Sequence, residues 1–242
     1  MADVTSFLVL SAAVFCGAFV SGLAGFAFSA VAGAVLLHAM PPTEAVPLMM
    51  ACSVGVQAAN LWALRRSIQW KESFPLILGG LLGIPIALWL LQNTDSRVFR
   101  EGFGLMVAVY AGYMLFRPAI GYARQMHQGR SALVGFGGGL IGGLTAMPGA
   151  LPTMWCDMQG VPKQQQRSLV QPFIAAMQVS ALAMLLLHHD LPTRIVHEFV
   201  LSVPALLAGS WLGIVAFRKI NEANFRRVIL GLLLVSGLLL VV

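Results

Sequence analysis

The chain is 242 residues long, 58% hydrophobic and only 10% charged, with a formal charge of +6 and a mean hydropathy of +0.83. Soluble domains carry about 25% charge, so a soluble globular protein is excluded. The basic residues cluster at the ends of apolar runs, which assigns them to topology and lipid headgroups rather than to nucleic acid.

Several uninterrupted apolar runs reach the roughly 20 residues that a bilayer requires. They do not alternate as outer-membrane barrel strands do. The expected fold is therefore an all-α polytopic membrane protein. The N-terminus, MADVTSFLVLSAAVFCGAF, lacks a basic leader and reads as the first helix of the mature chain. Cys16, Cys52 and Cys156 are odd in number and lack CxxC spacing, so neither a disulfide nor a metal site is expected.

In chain order, residues 5–37 form one long apolar block, interrupted at Ser21–Ala27. Helices follow over 43–64, 73–91 and 98–116. A polar loop spans Arg117–Ser131. A second long block, 132–157, is interrupted by GGLTAMPGALPTMWC (Gly142–Cys156). Helices are then expected over 164–187, 194–217 and 224–242. Pro148 and Pro152, four apart, cannot both lie inside one undisturbed helix.

The order repeats. GLAGFA from Gly22 lies over GLTAMP from Gly143, a shift of 121, and TDSRVFR from Thr94 lies over INEANFR from Ile220, a shift of 126. The expected organisation is a first repeat at 1–118, a cytoplasmic linker at 119–130 and a second repeat at 131–242, forming one integrated transport domain.

The basic residues select the topology. If each interrupted block crosses the membrane once, Lys and Arg divide seven against eight, which orients nothing. If each block enters, turns at its break and leaves where it came in, Arg97, Arg100 and Arg194 fall on one side and the other twelve on the other. That is a clear positive-inside bias. Each block is therefore expected to be a broken helical hairpin or re-entrant pair followed by three transmembrane helices. The two repeats are expected to be inverted, with both termini on the non-cytoplasmic side.

Broken backbone at membrane depth is tolerated only where protein buries it or a polar cavity meets it. Two such breaks in matching places mark a substrate site. A helix starting after a break offers free N–H groups and the positive end of its dipole, so a small anion near the midplane is the expected ligand. Candidate substrate-binding residues at the breaks are Gly22, Ala24, Gly25, Gly143, Thr145, Pro148 and Gly149, with Trp155 as a wall. Gln57 and Gln178, 121 apart, are amides in apolar settings, and Asn60 lies one turn beyond Gln57. Arg167 is either an oxyanion fork or a headgroup anchor. Glu44 and Asp157 are candidates for proton coupling, against simple exposure at helix ends. His188–Asp190 with His197 and Glu198 matches no standard metal spacing. No cofactor and no metal are expected.

GFGGGLIGGLTAMPGALPTMW, followed by GVPKQQQRSLVQPF at Gly160–Phe173, resembles the sulfite exporter TauE/SafE family, also called the toluene sulfonate uptake permease family. The matching elements are the glycine-rich break at Gly142–Gly149, the turn at Gly160–Lys163 and Arg167. The chain departs from that pattern at Ala146, where glycine is common, at Gln164–Gln166, where acidic residues are common, and in a first break without proline. The resemblance implies a carrier of the bacterial inner membrane for sulfite, sulfonates or similar small anions.

A secondary anion transporter working by alternating access, in the exporting direction, is the function expected. An anion channel, or a carrier of another organic anion or of a metal cation, is the alternative. An enzyme is not expected, because HExxH, GxSxG and paired aspartates are absent from the spans. The expected partners are a small anionic substrate and membrane lipid, with no nucleic acid. Small-residue ridges also allow a homodimer.

Overall fold

A computed structural model describes residues 2–24, 27–116, 128–188 and 193–217, together with 230, 231, 234, 237 and 238. Gly25 and most of the helix expected over 224–242 lie outside the described residues. So do 117–127 of the expected polar loop, and His189 and Asp190.

The described chain is all helical: α1 (Ala2–Ala24), α2 (Phe28–Ala39), α3 (Pro42–Leu64), α4 (Trp70–Asn93), α5 (Ser96–Phe116), α6 (Gln128–Thr145), α7 (Ala150–Met158), α8 (Lys163–His188) and α9 (Thr193–Phe217). Four of these, α3, α4, α8 and α9, are long and apolar enough to cross a membrane. The protein is a polytopic membrane protein. Helix α6 starts at Gln128, so its first four residues fall in the stretch expected as loop.

The outer surface is that of a protein dissolved in lipid. On α4, Trp70, Phe74, Leu78, Leu82, Ile86 and Trp89 are all exposed, and their spacing of three or four residues makes one continuous apolar stripe. A soluble monomer rarely shows such a patch. Trp70 and Trp89 close the stripe at either end, nineteen residues or about 28 Å apart along a helix. That matches a hydrocarbon core of about 30 Å, with tryptophan at each interface.

With the apolar bulk facing outward, small residues mediate the internal contacts. Helix α4 packs most extensively on α6, and α1 on α9. A Cβ at Gly135 would strike the Leu76 carbonyl, one at Gly139 the Gly80 carbonyl, and one at Gly83 the Phe136 carbonyl. Across the molecule, a Cβ at Gly209 would strike the Phe15 carbonyl and one at Gly213 the Phe19 carbonyl. Phe15 and Phe136 differ by 121 positions, Gly83 and Gly209 by 126. These are the two shifts of the sequence repeat.

The same contacts give the helix directions. Contact positions rise together in α4 and α6 and in α1 and α9, so each pair runs parallel. Ser73 Oγ donates to the Leu169 carbonyl at 2.7 Å, and Gly80 faces Phe173 and Met177, so α8 also runs parallel to α4. Since α6 and α8 both start from the same end of α4, the chain between them must return, and α7 is the returning arm. Gly142 against Pro148 and Gly137 against Leu151 show the fold-back directly. Glu44 beside Arg194 at 3.6 Å and Gly55 beside Leu206 make α3 parallel to α9 in the same way, with α2 as the return. Helices α3 and α8 run oppositely. The α3 end meets the α8 start through Ser67 and Ser168 and through the Gln69 N–H to the Ser168 carbonyl.

Replacing Gly139 by valine is expected to lower the stability of the purified protein by about 1–3 kcal/mol through overpacking. Replacing Gly102, whose Cβ would meet nothing, by alanine is expected to leave stability unchanged or raised by up to about 1 kcal/mol. Thermal unfolding in detergent distinguishes the two.

Candidate functional site

Both interruptions are real. Helix α1 ends at Ala24 and α2 starts at Phe28, with Ala27 in the left-handed region at φ 79°. Helix α6 ends at Thr145 and α7 starts at Ala150, with Ala146 left-handed at φ 54°. A left-handed conformation costs an L-residue roughly 1–2 kcal/mol, so both breaks are held open by their surroundings. Pro148 precedes α7 and Pro152 lies in its first turn, where a missing N–H costs no helical bond.

The breaks meet at a small cavity of about 10 Å³. The first hairpin and α3 contribute Ala27, Phe28, Ser29, Ser53 and Gln57. The second hairpin and α8 contribute Ala146, Met147, Pro148, Gly149, Ile174 and Gln178. Four pairs of this lining stand 121 positions apart: Ala27 with Pro148, Phe28 with Gly149, Ser53 with Ile174, and Gln57 with Gln178. The cavity thus takes equivalent positions from each half and lies where α2 and α7 both begin. Its interior has room for about one water molecule.

One carbonyl holds the breaks together. Ser29 Oγ donates to the Ala146 carbonyl at 2.6 Å, and Gln178 Nε2 donates to the same oxygen at 3.3 Å. Helix α6 ends one residue before it, so this carbonyl has no partner within the helix and is satisfied by Ser29 from the first half and Gln178 from the second. Ser29 Oγ also lies 3.5 Å from Ser53 Oγ. Behind the cavity, Gln57 Oε1 accepts from Asn60 Nδ2 at 3.4 Å and from Gln171 Nε2.

Polar character leaves the cavity in one direction. Ser53, Gln57 and Asn60 share a face of α3, and Gln171 and Gln178 share a face of α8; all five are buried. They lead towards the end where α3 finishes and α8 begins. Towards the opposite end the buried residues are Val46, Met49 and Met50 on α3 with Ala181 and Leu185 on α8, a wholly apolar plug.

Of the residues selected from sequence, Gln57, Pro148, Gly149 and Gln178 line the cavity, and Asn60 is one hydrogen bond behind it. Gly22 lies against the backbone of Ser210 and Gly213, and Gly143 against Ala87, so both are placed in helix packing. Thr145 Oγ1 donates to its own helix at the Ile141 carbonyl, 2.7 Å away. Trp155 packs against the core. Arg167 is half-buried on α8, eleven residues or about 16 Å before Gln178 along the helix. Ala24 closes α1. Glu44 pairs with Arg194, which also pairs with Glu198 at 2.8 Å. Asp157 is buried near the end of α7.

Sequence reasoning did not select Ala27, Phe28, Ser29, Ser53, Ala146, Met147 or Ile174. Ser53 was findable, since it lies one turn before Gln57 on the same face. Ser29 was not, because its role depends on a carbonyl 117 residues away.

Compared with known families, residues 9–240 match the model described as Sulfite exporter TauE/SafE. No curated protein and no solved structure gives a significant match. The matched span covers nearly the whole chain, so the chain belongs to the sulfite exporter TauE/SafE family, whose members are membrane transporters.

At Ala146, glycine is expected to preserve or raise thermal stability. Valine, whose branched side chain opposes a positive φ, is expected to lower it by more than about 1 kcal/mol. The ranking Gly, Ala, Val in melting temperature checks that the break is strained.

Proposed function

We propose that this member of the family is a secondary transporter that exports a small anion, sulfite or an organosulfonate, by alternating access. The observation that carries the reading is the cavity at the two helix starts, lined by four residue pairs 121 positions apart. Both α2 and α7 begin at its lining, which sets the positive ends of two helix dipoles beside it. Ser29, Ser53 and Gln57 add neutral polar groups. Such a surface suits an oxyanion better than a metal cation, which needs carboxylate or thiolate ligands.

The two repeats, 1–118 and 131–242, are inverted in this reading. The opposite directions of α3 and α8 support it, as do the exchanged pairs α1 with α9 and α4 with α6. Inverted repeats let two halves trade conformations, which exposes one central site to each side in turn. The positive-inside count puts Arg65, Arg66, Lys71 and Arg130 in the cytoplasm of a bacterium, with the protein in the inner membrane and both termini outside. The polar route along α3 and α8 then leads to the cytoplasm, and Met49, Met50 and Leu185 close the other exit. The cavity is too tight for a sulfite ion as it stands, so loading requires the hairpins to part.

Two measurements test this. Maleimide labelling of single cysteines at Gly129 and Gln164, which flank the second interrupted block, is expected from the cytoplasmic face, and at Asn93 from the opposite face. Labelling of Gly129 and Gln164 from different faces would exclude the hairpin topology. In proteoliposomes, sulfite counterflow is expected, and Ser53→Leu, which fills the cavity, is expected to reduce it more than tenfold while the protein stays monodisperse. Counterflow undiminished in that variant would move the site elsewhere.

A further inference from the structure

The charge and hydrogen-bonding character of the cavity narrow its ligand further, given that the cavity is the transport site proposed above. Among the described residues, no lysine, arginine or histidine lines it. Its positive potential comes from two helix N-termini, each equivalent to about half an elementary charge. Together they balance about one negative charge. The carbonyl ends of α1 and α6 lie at the same breaks and reduce that figure. A dianion would therefore sit in a buried site with at least one charge uncompensated, which costs several kcal/mol in a low-dielectric surrounding.

The second observation is an orphan acceptor. Gln178 is 4% exposed and lines the cavity. Its Oε1 is buried with no hydrogen-bond partner among the described residues. The amide cannot be turned to cure this, because its Nε2 already donates to the Ala146 carbonyl, and a flip would set two oxygens face to face. A buried acceptor without a donor is costly, and a ligand that brings a donor removes that cost.

We infer that the cavity selects a singly charged oxyanion that carries its own hydrogen-bond donor, and that for sulfite the species bound is the protonated monoanion, hydrogensulfite, with its hydroxyl donated to Gln178 Oε1. The dianion is rejected twice, once by its second charge and once by the lone pair it would turn towards Oε1. The exported species then carries one proton with each sulfur, so transport tracks pH with no titrating side chain in the site. Among the described side chains, the ionisable groups on the surrounding helices lie outside the lining: His38 on α2, Glu44 and Cys52 on α3, Cys156 and Asp157 on α7, and Arg167 on α8. On the helices packed outside these, Cys16 of α1, Lys71 and Glu72 of α4, Arg97, Arg100 and Glu101 of α5, Arg130 of α6, and Arg194, His197 and Glu198 of α9 are also outside it.

Calorimetric binding to the full chain in lipid nanodiscs tests this, with sulfite, methanesulfonate and sulfate as probes. Methanesulfonate is a monoanion at every working pH and has no donor; sulfate is a dianion. The second ionisation of sulfite falls near neutrality, and above it the apparent affinity for sulfite is expected to fall about tenfold for each further pH unit. Methanesulfonate affinity is expected to stay level over the same range, and sulfate is not expected to compete. Gln178→Met is expected to weaken sulfite binding about tenfold and to leave methanesulfonate unchanged or tighter, a divergence that a merely structural role would not produce. Sulfite affinity that is flat or rises with pH, or competition by sulfate equal to that of methanesulfonate, overturns the monoanion assignment while leaving the anion site in place. Failure of all three anions to bind overturns the site and this inference together.

Discussion

The architecture depends on what becomes of one carbonyl. Within a bilayer no water is available to pair a backbone oxygen whose helix has ended. The Ala146 carbonyl stands at such an end, and it is satisfied by Ser29 from the first hairpin and Gln178 from α8. The second interruption is thus supported both by the first half, through Ser29, and by its own, through Gln178. The left-handed backbone at Ala146 stands at that junction, and the cavity lies beside it, where α2 and α7 begin.

Around this centre large apolar residues occur both outside and inside: Phe74, Leu82 and Trp89 face lipid, where they gain nothing by burial, and Phe103, Phe173 and Met49 fill the interior. Small residues are concentrated at the helix seams. Dispersion contacts and close backbone approach then provide the cohesion that hydrophobic burial gives a soluble core. The paired contacts of α4 with α6 and α1 with α9 leave no room for a Cβ at Gly83, Gly139, Gly209 or Gly213. Each pair joins a helix of one half to a helix of the other, so neither half is a self-contained packing unit. A motion that opens the cavity to one side must slide these close-packed seams or carry them as rigid blocks, which couples the two hairpins mechanically.

The polar lining is sparse for a reason that also bears on selectivity. Every buried amide or hydroxyl must be hydrogen-bonded, so a site with few such groups minimises the cost of its empty state. Gln57, Asn60 and Gln171 satisfy one another, and Ser29 is held by Ala146. A fixed cation would have to be neutralised whenever the site is vacant. Helix dipoles need no counterion, and they suit a carrier that must release its cargo as readily as it takes it up.

The amino-acid sequence by itself determined the membrane class, the order of the long helices to within a few residues, and the two interruptions. Those properties follow from local chemistry: hydropathy over twenty residues, the missing N–H of Pro148 and Pro152, and Gly149 just ahead of α7. The charge count favoured the hairpin reading, since twelve basic residues on one face is a global tally that needs no contacts. Which residues meet was decided only by tertiary structure. Gln57 and Gln178 line the cavity with Ser29 and Ser53, whereas Gly22, Gly143, Thr145 and Arg167 lie outside its lining. A glycine that admits a ligand and a glycine that admits a neighbouring helix are identical in one dimension. The difference lies in what approaches the missing Cβ, and in Gly22 and Gly143 that is α9 and α4, helices remote in sequence from both.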